Sequence, residues 1–340
     1  MQPCQEDSRS FFQKLQQAEG LDLRDNRGKR HDLAVVLVGV TLAVLSGRDG
    51  CLSSIHRHLA NYYEQLVVVL GVEKKKAVSR QQLPRILEKV SVTVFDNLMF
   101  SHFGVRLNEK ERKWLAIDGK ELRGSIMAGE KRGEVVVQAV DHERGRTVAQ
   151  TYYCGQKESE VPAVRKLLGK LNLANWNISV DALHCKRQTL EMIAETKGRY
   201  LVGLKKNQKQ LLKQVIKESE NQACLGKIRE NNKEHGRIET RSYEFYDLLE
   251  MEKDERWKNC QMRTAIKVIR ARENTKTGRK SAEESYYVSN LSGKYEELAE
   301  AIRRHWSVET NNYIRDVILR EDRMRSKKRF SIEQWRRLGQ

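Results

Sequence analysis

Along the first third of the chain apolar residues recur every three to four positions, and from Trp114 onward they gather into short runs bounded by turn residues. The first spacing is that of helices with a buried stripe; the second is that of strands in a covered sheet. Phe11 to Ala18 predicts a short amphipathic helix, and Asp32 offers an N-cap to Leu33–Leu45, apolar nearly all round and therefore buried. Leu66 to Leu70 reads as part of another helix, and Leu83, Ile86, Leu87 and Val90 keep helical spacing behind Ser79, a further capping residue. Residues 1–105 are expected to form a small all-helical unit.

Past that point, Trp114 to Asp118 predicts a strand ending on an acid. Glu134 to Asp141 predicts a second, and Arg144-Gly145-Arg146 turns it into a third, Thr147 to Tyr153. A helix over Val161 to Leu171 leads to Trp176 to Ala182, another apolar strand with an aspartate near its end, Asp181. A helix around Glu191 to Ala194 and a strand from Tyr200 to Leu204 complete the series. Three strands, then helix, strand, helix, strand predict a mixed α/β sheet. Residues of about 205–285 break this rhythm with a basic, β-rich insertion whose strand-like runs are Ile238 to Tyr246 and Arg263 to Arg270. Tyr286 to Leu291 then leads into one long helical pattern, about Tyr295 to Leu319.

Charge adds a partner. Lys and Arg total 64 against 46 for Asp and Glu, a net charge of +18, which points to a polyanion such as nucleic acid, an acidic membrane surface being the alternative. No apolar run approaches the roughly 20 residues that span a bilayer, and the N-terminus carries no signal-peptide pattern. Six scattered cysteines without a C-x-x-C pair read as reduced thiols in the cytoplasm, not as a zinc site.

Asp118 and Asp181 both close strands of one sheet. If the strands are neighbours, the carboxylates converge and call for a cation between them. With a third acid they make a hard-oxygen site for Mg²⁺ or Mn²⁺, two ions of which serve phosphodiester chemistry. Glu309 is a candidate for that acid: it shares a helical face with Trp306 and Tyr313, expected to point at the sheet, although by periodicity a surface glutamate paired with Arg303 or a lysine fits equally, and Asp316 is a competitor one heptad on. Lys205, Lys206, Asn207, Gln208 and Arg237 have the chemistry of DNA contacts; His235 fits that role or that of a loop histidine.

Ala116-Ile117-Asp118-Gly119-Lys120 with Arg123-Gly124-Ser125, then Val180-Asp181-Ala182, Leu204 to Gln208, His235 to Arg241 and Arg304-His305-Trp306-Ser307-Val308-Glu309 occur in one order, followed by Asp316-Val317 and Glu321-Asp322. In that order they resemble bacterial insertion-sequence transposases of the DDE superfamily, in the branch with the H-repeat-associated proteins. The resemblance implies a ribonuclease-H-like catalytic domain over residues 106–330, carrying the insertion at about 205–285 and preceded by the helical domain. It implies Asp118, Asp181 and Glu309 as catalytic, metal-binding acids, with Lys120, Arg123 and Arg304 joining the DNA contacts. It further implies cleavage of element ends and strand transfer, double-stranded DNA as partner, a homo-oligomer on DNA, and a nucleoid-associated protein. The alternatives are an inactive or truncated copy that only binds DNA, and a structure-specific nuclease on the same fold. Related transposases carry Tyr, Arg and Lys where this chain has Ile302, His305 and Asp316, and residues 331–340 are expected to be a tail shorter than the family's.

Overall fold

The computed structural model describes residues 9–48, 51–103, 113–126, 128–171, 173, 176–234, 236–248 and 254–318. Helices α1 (Phe11–Gln17), α2 (Leu33–Leu45), α3 (Leu52–Leu70), α4 (Gln82–Leu87) and α5 (Val92–Phe103) come first. Asp32 caps α2 as its position suggests: one carboxylate oxygen accepts from the backbone N–H of Ala34 at 2.8 Å and of Val35 at 3.3 Å. With polar atoms settled at its start, α2 buries Leu37, Val40 and Ala43 in a core shared with Leu15, Ile55, Leu83 and Phe95 from the other four helices. Gly39 lets α3 come close, since the methyl groups of Leu59 and Leu66 fill the space a side chain there would take. No described helix is long and apolar enough to cross a membrane.

The remaining elements are β1 (Lys113–Glu121), β2 (Glu134–Asp141), β3 (Thr147–Cys154), α6 (Glu160–Leu168), β4 (Trp176–Val180), α7 (Arg187–Glu195), β5 (Arg199–Leu204) and α8 (Lys209–Asn221). After them run β6 (Gly226–Glu234), β7 (Arg237–Asp247), β8 (Thr264–Asn274), β9 (Lys280–Ser289), α9 (Tyr295–Arg304) and α10 (Ser307–Tyr313), which ends in a π-helical turn over Ile314–Ile318. They form one mixed sheet of nine strands in the order β3-β2-β1-β4-β5-β9-β8-β7-β6. β1 runs antiparallel to β2 and parallel to β4, and β4 runs parallel to β5. Alternation along β1 sends Leu115 and Ile117 into the large core beneath α6 and α7, with Val164, Leu167, Leu190 and Ile193. Each such buried side chain contributes about 1.5–3 kcal/mol. The opposite face, from Trp114 across Leu201 to Tyr243 and Ile266, lies under α9 with Leu298 and Ile302.

The β-rich insertion joins the central sheet, because β9 pairs with β5 and the β6–β9 ribbon extends it. It departs from expectation in two ways, and the late helix in one. Its first part is helical, since Leu211 and Val215 of α8 bury against Tyr246 and Leu248. Its strand β6, GKIRENNKE, carries too few apolar residues to announce itself. The long late helix is interrupted at His305 and Trp306, between α9 and α10.

Replacing Asp32 by Ala removes the cap of α2 and is expected to cost about 1 kcal/mol. Urea unfolding would show it as a lower midpoint at unchanged slope; an unmoved midpoint would mean the cap contributes nothing.

Candidate active site

The parallel pairing of β1 with β4 runs as far as Ile117 and Val180, and the next residues on the two strands are Asp118 and Asp181. Neighbouring strands lie about 4.8 Å apart, so the two carboxylates leave the sheet side by side. β4 stops at Val180 while β1 continues along β2 to Glu121, so Asp118 sits inside its strand and not at its end. This is the crevice beyond the C-terminal ends of parallel strands, where ligands of such sheets bind. Alternation places Asp118 with Ala116 on the face beneath α10, since Ala116 packs against Val308.

The two acids have different surroundings. Asp181 caps a short 3-10 turn, accepting from the N–H of Leu183 at 2.9 Å, and its side chain is 45% exposed. The Asp118 carboxyl is pushed up to about 6, first by burial and then by the charge of Glu160, with Asp181 adding to it; the N–H of Gly119 and His184 pull the other way. A buried acid beside two others is the electrostatic signature of a site short of positive charge.

Glu160 was not anticipated. It heads α6 and lies against Gly119, where a Cβ would stand 2.5 Å from its Oε2, so only glycine at 119 leaves it that room. Its Oε1 is 2.8 Å from Nε2 of the buried His184, which is also 3.9 Å from Asp181 Oδ1. In the sequence Glu160 reads only as an acid in the first turn of an amphipathic helix, a common and uninformative position.

The third expected acid is not with the pair. Glu309 is exposed on α10, and among the described residues no three His, Cys, Asp or Glu side chains stand close enough to hold a metal ion together. Trp306 and Tyr313 are 51% and 61% exposed, so the face they share with Glu309 points to solvent, contrary to the expectation that it meets the sheet. The sheet-facing positions are Val308, Asn312 and Asp316. Asn312 donates from Nδ2 to Asp118 Oδ2 at 3.4 Å and accepts from Gln138 at 3.3 Å. Asp316 lies 2.7 Å from Lys120 Nζ. Just before α10, His305 Nδ1 is 2.9 Å from Ser179 Oγ, and His142 Nε2 reaches the same hydroxyl at 2.8 Å. Burial pushes His305 down to about 4 and His142 to about 3, which keeps both rings neutral at ordinary pH.

The expected DNA contacts divide. Lys120 is 7% exposed and its charge is answered by Asp316, so it is an internal ion pair. Gln208 is buried and donates to the carbonyl of Cys185 at 2.7 Å, and Asn207 donates to that of Ala182 at 2.5 Å. Both amides tie the start of α8 to the turn after Asp181, a structural task. Lys205, Lys206, Arg123 and Arg237 are exposed, and Arg304 is exposed but pairs with Glu300 at 2.7 Å. His235, Glu321 and Asp322 lie outside the described residues.

Residues 109–338 match the family profile described as "Transposase DDE domain". The chain is 25% identical over 332 residues to "Putative transposase YncI" of Escherichia coli O157:H7, covering 92% of this chain and 81% of the relative. It is 25% identical over 314 residues to "H repeat-associated putative transposase YhhI" of Escherichia coli K12, covering 88% and 81%. To "Putative protein YbfL" of the same strain it is 27% identical over 248 residues, covering 71% and 65%.

Asp118 also sets a pH dependence. Below pH 3.8 it is neutral in both folded and unfolded chains; as pH rises toward 6 the folded state keeps the proton longer. Ionisation therefore costs the metal-free fold stability, up to about 3 kcal/mol above pH 6. Urea unfolding in EDTA should find Asp118→Asn gaining on the parent between pH 4 and pH 7. A difference that stays constant over that interval would contradict the assignment.

Proposed function

The chain belongs to the transposase DDE domain family, and on that premise we propose that it cuts DNA at the ends of an insertion element and joins the freed ends to target DNA. The observation that carries this reading is the adjacency of Asp118 and Asp181 directly after the paired residues Ile117 and Val180. Two oxygen donors side by side fit Mg²⁺ or Mn²⁺, and the buried charge of Asp118 beside Glu160 and Asp181 is what such a cation would relieve. Asp118 and Asp181 would hold such ions, which when bound would supply Lewis-acid stabilisation of the phosphoryl oxygens and favour an ionised water or 3′-hydroxyl.

The chain's own groups have separable tasks. Asp118 and Asp181 would hold the ions just past the last paired residues of β1 and β4, and the strand pairing fixes their spacing. Glu160 and His184 brace Asp181 from the α6 side. Glu309 completes the acid set in this reading, although it faces solvent here. It stands three residues before Asn312, which at 3.6 residues per turn is about 60° round the helix. A turn of α10 by about 60°, together with a slide of about 4.5 Å along its own axis, would exchange the Asn312 amide for the Glu309 carboxylate beside Asp118. Exposed Lys205, Lys206, Arg123 and Arg237 contribute phosphate contacts. Two chains acting on paired element ends, in the nucleoid, belong to the same reading.

Asp118→Ala, Asp181→Ala and Glu309→Gln should each remove Mn²⁺-dependent cleavage and strand transfer of a labelled element end. Several kcal/mol of lost charge stabilisation correspond to about 10³-fold in rate, while DNA binding in EDTA persists. Binding without cleavage by the parent chain would favour a DNA-binding protein instead. Full activity of Glu309→Gln would remove that residue from the acid set.

A further inference from the structure

The β6–β9 ribbon carries a charge cluster that the acid site does not use. On β7 and β8, Arg241, Arg270 and Arg272 converge on one carboxylate, Glu239. Arg241 Nη2 stands 2.6 Å from its Oε1, and the Nε atoms of Arg270 and Arg272 are each 2.9 Å from its Oε2. Arg241 lies directly across from Arg270, and Glu239 across from Arg272. Like charges facing each other across a sheet are unfavourable, and Glu239 is the one carboxylate in contact with all three arginines, while Glu230 stands across from Arg241. Glu283, opposite Arg270 on β9, is exposed, and Glu230 is engaged by Arg303 at 3.5 Å.

Position gives the cluster its meaning. Register carries its face of the sheet from Arg270 through Tyr287 and Gly203 to Ser179, the face on which Asp118 and Asp181 stand. Two consecutive residues link the regions: His305 touches Ser179, and the Trp306 ring lies 5.7 Å from the Arg270 guanidinium. Arg270 and Arg272 meet Glu239 through Nε, and a guanidinium engaged in that way keeps its terminal amino groups for a second acceptor such as a phosphate oxygen.

We propose that Glu239 gathers Arg241, Arg270 and Arg272 into a fork for backbone phosphates of duplex DNA, on the same sheet face as the acid pair. This rests on the reading of DNA as the substrate. The ribbon then grips the duplex to one side of the bond being cut, and Glu239 acts as a positioning residue that holds the guanidiniums apart from one another.

The test is binding of a fluorescein-labelled duplex of random sequence by the full chain, in EDTA, across a salt series. Arg272→Gln, at 37% exposure the least buried of the three, should weaken binding several-fold. It should also flatten the slope of log affinity against log salt by about 0.9, and Arg270→Gln with Arg272→Gln by about twice that. Lys267→Gln removes one charge from the opposite face of the same strand, where Lys267 pairs with Glu284, and should leave the slope unchanged. A parental slope in Arg272→Gln, or an equal loss in Lys267→Gln, overturns the proposal while leaving DNA as substrate. A parent chain that binds no duplex overturns both. If the double variant fails to fold, the Arg272→Gln result decides.

Discussion

Asp118 and Asp181 are held one strand spacing apart by backbone pairing that ends at Ile117 and Val180, and this forced closeness of like charges governs the surroundings of both. Hydrogen bonds of the sheet fix the spacing, so the carboxylates cannot separate without unpairing strands. Burial first, then the charge of Glu160, with Asp181 adding to it, are expressed as proton affinity, and the Asp118 carboxyl is pushed up to about 6. The neighbours that answer it within the chain are modest dipoles, the Gly119 N–H and the Asn312 amide, together with the ring of His184. In the proposed reading a divalent cation would supply the remaining positive charge.

The two faces of the sheet are built for different amounts of movement. Beneath α6 and α7 the contacts are almost wholly apolar and continuous from Val135 to Val288, a close-packed core that resists displacement. On the other face α10 has a small apolar anchor, Val308 against Ala116 and Val140, and is otherwise seated by polar contacts of Asn312 and Asp316. Such contacts are worth about 1 kcal/mol each net, because water replaces them readily. Outward on the same segment lie Trp306, Tyr313, Ile314 and Val317, large apolar groups that gain nothing there. Glu309 shares the outward side with Trp306 and Tyr313.

Much of this was legible in the sequence, and the failures have physical causes. Apolar runs that end in aspartate located both strands and the acid pair, because a charged residue entering a buried strand demands a partner. The capped helix α2 was equally clear from Asp32 and its apolar run. Glu160 was invisible because its approach depends on Gly119 lacking a side chain and on a contact across 41 residues of sequence separation. Trp306 and Tyr313 were assigned inward from helical periodicity, which gives which residues share a face but not which face meets the sheet. Lys120 was expected among the DNA contacts, and its pairing with Asp316 was not visible because Asp316 lies on an element brought over only by the fold. Strand β6 was missed because its neighbour β7 supplies the hydrogen bonds that its own composition does not advertise.

The central claim is that the paired carboxylates bind divalent cations, and titration of the chain with Mn²⁺ followed by electron paramagnetic resonance addresses it without any nuclease assay. The account predicts saturable binding by the parent that is lost when Asp118 and Asp181 are both replaced by Asn, in a chain that still melts cooperatively. Unchanged Mn²⁺ affinity and stoichiometry in that variant would contradict it.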